Sequence, residues 1–181
     1  MVTFIFAQIF GIFGMLANCL SFQQKTERAT IFYQMLAGAM FLVNFLLLGA
    51  FVGMMLNLLS VVRALVFIYR DKTRANHPIW MLIFIASYIA CYVLSFAVFK
   101  TPATPKNLIV EALPVIAMTV VTVSFRMRSA KKIRMFGLVN SPLWLTYDVF
   151  NFTIGGIIGE TINIISIIIG IFRYDTKSEV K

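Results

Sequence analysis

Two asparagines, an arginine and a glutamate interrupt stretches of this chain that are otherwise almost wholly apolar. Asn57 and Asn163 occur in matching frames. Gly49 to Ser60 and Gly155 to Ser166 both spell G-x-x-x-G-x-x-x-N-x-x-S, 106 positions apart. A side-chain amide in hydrocarbon costs on the order of a few kcal/mol unless it is hydrogen-bonded. Opposed across a cavity, the two amides would offer donors and acceptors to a polar solute. The competing reading is interhelical glue, because Asn, Ser and spaced glycines are ordinary packing devices in membranes. Phe41 and Trp144 are also equivalent under the repeat and suit stacking on a planar or ring-shaped ligand. Trp144 is equally at home at a membrane interface.

Glu160 and Arg63 are the ionisable residues deepest in their apolar runs, and such residues usually face a cavity or a partner. With the asparagines as a common level, the two charges are separated axially by about 13 Å at 1.5 Å per residue. Direct pairing is therefore not expected. Arg63 can snorkel toward the basic end near Arg70. Glu160 has no such exit and is the best single candidate for proton coupling or cation recognition. Glu111 reads as an interfacial carboxylate or an outer gate. Pro114 breaks a helix ladder and can serve as a hinge.

These residues need elements to hold them in lipid. Hydrophobic residues make up 60% of the 181 and charged residues 13%, with a mean hydropathy of +0.89. A soluble domain of this size has too little interior to hide that much apolar surface. A membrane helix needs roughly 20 apolar residues, and seven runs qualify, near 2–22, 30–48, 50–69, 79–98, 108–125, 133–149 and 153–172. A tight turn around Leu48 to Ala50 must separate the second from the third. The first run lacks a basic leader and a small-residue cleavage site, so it reads as a retained helix.

The net charge of +9 follows topology and does not point to nucleic acid. Lys25, Arg28, Arg70, Lys72, Arg74, Arg126, Arg128, Lys131, Lys132, Arg134, Arg173, Lys177 and Lys181 fall on one side, and only Lys100 and Lys106 on the other. Thirteen against two predicts an external N-terminus and a cytoplasmic C-terminus. Cys19 and Cys91 lie inside apolar runs and read as packing residues. A single histidine, His77, excludes a His-based metal site. No catalytic triad, zinc-protease motif or phosphate loop appears, so neither an enzyme nor a cofactor is expected.

Met15, Ser21, Phe22 and Leu42 recur as Met118, Ser124, Phe125 and Leu145, 103 positions on. A three-residue insertion reconciles this offset with the first. The expected fold is thus an all-α membrane protein of seven transmembrane helices in a 3+1+3 plan. Residues 1–72 form one three-helix repeat, 73–100 a linker helix, 101–174 a second repeat and 175–181 a cytoplasmic tail. The extra crossing gives the repeats the same orientation. The loop from Lys100 to Lys106, with Pro102 and Pro105, marks their boundary.

This plan resembles the SWEET, or MtN3/PQ-loop, superfamily of small-solute transporters. The chain more closely resembles the YgjV family of bacterial inner-membrane proteins, through Glu111-Ala112-Leu113-Pro114-Val115-Ile116, Asn57 to Arg63 and the Gly155-Gly156-x-x-x-Glu160 run. The resemblance implies a bacterial inner-membrane location and an asparagine pair, Asn57 and Asn163, at the place where SWEET proteins line a sugar site. SWEET-type repeats usually carry a proline in each of their first two helices. Pro114 and Pro142 supply them in the second repeat, whereas the first has Gly11, Gly14 and Gly38. The PQ pair is replaced by Gln23-Gln24. The expected function is a small-solute transporter or facilitator working by alternating access. The alternative is a non-transporting receptor, sensor or scaffold built on the same bundle. Expected partners are the lipid bilayer, a small polar solute and protons, with a homo-oligomer left open.

Overall fold

The computed structural model describes residues 2–152 and 154–176. Over these the chain forms α1 (Val2–Phe22), α2 (Glu27–Leu48), α3 (Phe51–Ile68), the short α4 (Arg70–Thr73), α5 (Pro78–Ala97), α6 (Pro105–Arg126), α7 (Ala130–Phe150) and α8 (Ile154–Tyr174). The seven long helices coincide with the seven apolar runs to within a few residues. The single turn α4 is an addition, placed where the basic segment after Tyr69 leaves the apolar run.

Local chemistry sets the boundaries. Thr26, Thr104 and Ser129 cap α2, α6 and α7 by accepting from the backbone N–H three residues on. His77 caps α5 by accepting from the N–H of Ile79, with Pro78 at the first helical position, where the missing N–H costs nothing. The predicted break between the second and third runs is made by Gly49. Its φ of 69° lies in the left-handed region, and its N–H returns to the carbonyls of Phe45 and Leu46.

Six of the helices, α1, α2, α3, α5, α6 and α8, are long and apolar enough to cross a membrane. The remaining long helix, α7, has 21 residues but carries Lys131, Lys132, Arg134 and Asp148. Large apolar side chains point outward along the bundle. Phe4, Phe13, Ile109, Ile154 and Phe172 are all more than half exposed. A water-soluble protein rarely shows so much contiguous apolar surface, and here the surrounding solvent is lipid.

Inside, α2 packs against both α1 and α3, and α7 packs against both α6 and α8. The two triplets meet where α1 touches α8 and where α3 touches α6, and α5 lies against α3 and α6. The main core gathers Ile31, Leu56, Phe67, Phe84, Tyr88, Met118, Phe125 and Ile133.

Candidate functional site

Three polar groupings interrupt this apolar interior. The first lies among α1, α7 and α8. Asn163 is buried, and its Oδ1 accepts from Cys19 Sγ at 3.2 Å. One turn back on α8, the Glu160 carboxyl group interacts with the side chains of Ser141 and Asn163. Its Oε2 is buried with no hydrogen-bond partner among the described residues. Asp148 on α7 is also buried and lies within electrostatic reach of Glu160. The Asp148 carboxyl group is pressed against Gly156, where a Cβ would collide with it. Below this grouping, Ser166 donates to the carbonyl of Cys19 at 2.7 Å and receives Nε2 of Gln23 at 2.9 Å, stitching α8 to α1.

The second grouping centres on Arg63, among α3, α5 and α6. Its side chain is 4% exposed and points inward. Nη1 donates to Tyr88 Oη at 3.0 Å, to the carbonyl of Met118 at 3.2 Å and to Thr122 Oγ1 at 3.5 Å. Nη2 reaches Ser60 Oγ at 3.4 Å, and Nε is buried without a partner. The guanidinium lies over the Phe125 ring, 5.2 Å from its centroid. The expected snorkelling toward Arg70 does not occur. Tyr88, Thr122 and a helix carbonyl form a polar niche deep enough to hold the head group, so the long stem need not carry it to the interface.

The third grouping ties the basic end of the bundle. Arg134, near the start of α7, makes a bidentate pair with Asp175 just beyond α8, at 2.9 and 2.6 Å. It also donates to the carbonyls of Gln24 and Phe22 at the end of α1. Glu27, at the start of α2, pairs with Arg70 just beyond α3, and Arg70 donates to the carbonyl of Phe125 at the end of α6. Each guanidinium therefore reaches from one triplet onto the first helix of the other.

Of the sequence-predicted residues, Asn163 and Glu160 fall in the first grouping and Arg63 in the second, while Asn57, Phe41, Trp144, Glu111 and Pro114 lie outside all three. Asn57 donates to the carbonyl of Gly53 in its own helix at 2.8 Å, while Asn163 takes its bond from α1. Each amide thus has its own hydrogen bond, Asn57 within α3 and Asn163 to α1. Phe41 covers Gly14 of α1, and Trp144 stands edge-on to Tyr147 at 5.8 Å. Glu111 and Pro114 line a small cavity of about 20 Å³ together with Leu56, Tyr88, Cys91 and Tyr147. Arg63 and Glu160 occupy different groupings, as their axial separation predicts. Both cysteines are free.

The participants not singled out from the sequence include Asp148, Tyr88, Arg134 and Asp175. Asp148 carried a signal, being an acid inside the sixth apolar run. Tyr88 carried none, because a tyrosine in an apolar run has no unusual cost until its partner is known.

Several apolar spans around a buried polar interior define a multi-pass helical membrane protein. The chain belongs to the Imp-YgjV family of bacterial inner membrane proteins, whose model matches residues 5–178. No curated protein and no solved structure matches it.

Proposed function

We propose that the protein is a non-enzymatic small-solute transporter or facilitator of the inner membrane. In this reading two parallel three-helix units, residues 1–72 and 101–174, alternate access around a central path, with α5 restoring their common orientation. Counting α7 as a crossing gives seven, and the thirteen-to-two distribution of basic residues puts the N-terminus outside and the C-terminus in the cytoplasm. Helix adjacency supports the repeat. Exchanging the triplets turns the α1–α8 contact into the α6–α3 contact. The motif serines obey the same exchange, Ser166 facing α1 and Ser60 facing Met118 of α6.

The observation that carries the transport reading is Glu160 Oε2, buried without a hydrogen bond within the apolar bundle and with Asp148 nearby. Buried polar atoms used only for architecture are almost always satisfied, whereas unsatisfied carboxyl groups inside membranes mark ion or substrate paths. In this reading Glu160 and Asp148 hold a proton or a small cation, and Asn163 and Ser141 orient it.

The test is uptake of a panel of labelled metabolites into proteoliposomes, with and without an inward proton gradient. At least one solute should enter saturably and faster with the gradient. Glu160→Gln should lose the gradient response and keep exchange at equilibrium. If no solute moves, or if the Gln variant responds to the gradient like the wild type, the reading fails.

A second reading, a receptor or scaffold, is favoured by a specific observation. Asn57 and Asn163 are each satisfied by a neighbouring helix position or partner, and the cavity at Glu111 has room for about one water and no metabolite. Stoichiometric co-purification of a partner protein, with no uptake, would select it.

A further inference from the structure

Burying a guanidinium in low dielectric costs several kcal/mol even after relaxation, and proteins normally offset this with a carboxylate. Arg63 is almost fully buried, yet its partners among the described residues are all neutral: two hydroxyls, a carbonyl and the Met118 sulfur around Nη1, and a third hydroxyl at Nη2. The satisfaction is lopsided. Nη1 is crowded with acceptors, Nη2 has one long contact, and Nε has none. The unsaturated side is the edge formed by Nε and Nη2, one of the two edges on which arginine binds a planar oxyanion with two parallel hydrogen bonds.

We propose that this edge of Arg63 is a binding site for a small carboxylate anion. The surroundings suit a negative guest. Thr122 Oγ1 donates to the carbonyl of Met118 at 2.8 Å and Tyr88 Oη lies 3.1 Å from Thr122 Oγ1, while the Ser60 hydroxyl, donating only in a long contact to Met118 Sδ at 3.7 Å, is free to turn its hydrogen toward an anion. The site and the small cavity at Glu111 share one stripe of helix faces. Leu56, Ser60 and Arg63 follow each other on α3, and Val115, Met118 and Thr122 do so on α6. The small cavity at Glu111 is lined by Leu56 and Val115, the first residues of that stripe, and by Tyr88, whose hydroxyl accepts from Arg63. The position equivalent to Arg63 in the last triplet is Ile169, so the chain offers one such edge per repeat pair. The site concerns binding and is independent of whether the protein transports.

Thermal unfolding of the purified full chain in detergent tests it, with sodium acetate, sodium phosphate and sodium chloride added at equal ionic strength. A ligand that binds the folded state raises the unfolding midpoint saturably. Acetate should do so in the wild type and chloride should not. Arg63→Gln should abolish the response. Arg63→Lys keeps the charge but lacks the fork, and should need about tenfold more acetate. Should Arg63→Gln fail to fold, the Lys variant decides alone. An equal response to chloride overturns the proposal, as does an acetate response unchanged in the Arg63 variants. A response to phosphate but not acetate overturns the carboxylate assignment. No saturable response to acetate at all refutes the site.

Discussion

The first three long helices and the last three solve the same problem with opposite charges. The first triplet buries a cation, Arg63, among neutral oxygens, and the last holds two acids, the buried Asp148 and the half-buried Glu160, on α7 and α8. At the basic end each triplet joins the start of its middle helix to the region beyond its third. In the first the acid is on the middle helix, Glu27 to Arg70; in the last the base is there, Arg134 to Asp175. The backbone plan is repeated while the electrostatics are inverted. A duplicated scaffold thus needs only the geometry of its helix ends to be kept, because either polarity closes the same gap.

The inversion is not energetically even. Arg134 and Asp175 are 2% and 6% exposed, whereas Arg70 and Glu27 are 12% and 19% exposed. Removing one member of a buried pair strands the other, at about 3–5 kcal/mol, while a more hydrated pair is worth about 1 kcal/mol or less. Arg134→Ala should therefore cost several times more than Glu27→Ala in reversible unfolding in mixed micelles. Equal costs would mean that the two ends are equivalent after all.

A smaller contrast concerns the glycines. A Cβ at Gly170 would sit 2.5 Å from the carbonyl oxygen of Phe22 and 2.9 Å from Cδ of Arg134, while one at Gly155 meets nothing within 4 Å. Gly170→Ala should destabilise by about 1–3 kcal/mol through overpacking. Gly155→Ala should stay within about 0.5 kcal/mol of wild type. Both are read from the same unfolding curves, and a neutral Gly170→Ala would show that α1 and α8 can separate there without penalty.

The smallest expected difference separates the motif serines. Ser166 both donates and accepts across the α1–α8 contact, whereas Ser60 makes only long contacts, 3.4 Å to Arg63 and 3.7 Å to Met118 Sδ. Ser166→Ala should cost about 1–2 kcal/mol and Ser60→Ala less than half of that. The reverse order would assign the tighter seam to α3 and α6.

Legibility differed sharply between elements and partners. The helix boundaries at Gly49, Pro78 and Pro105 were readable because caps, prolines and left-handed glycines act within a few residues of themselves. The separation of Arg63 from Glu160 was readable from rise per residue alone. The hydrogen-bond partners of the asparagine pair are not readable from the repeat. Matching positions in two repeats do not guarantee matching partners, since Asn57 has the Gly53 carbonyl four residues away and Asn163 has Cys19 from a helix 144 positions distant.

By itself the sequence determined that this is a helical membrane protein, where its long helices begin and end, and which few polar residues lie in apolar surroundings. Transfer of apolar side chains to lipid and the backbone's need for internal hydrogen bonds act along the chain, so they leave their record in it. Only the tertiary structure decided that Arg63 turns inward to Tyr88 and Thr122, that Asp148 lies near Glu160, and that Arg134 and Asp175 lock α7 to the end of α8. Those pairings depend on the rotation of each helix about its own axis. That rotation is set by packing against helices scores of residues away, and no local pattern encodes it.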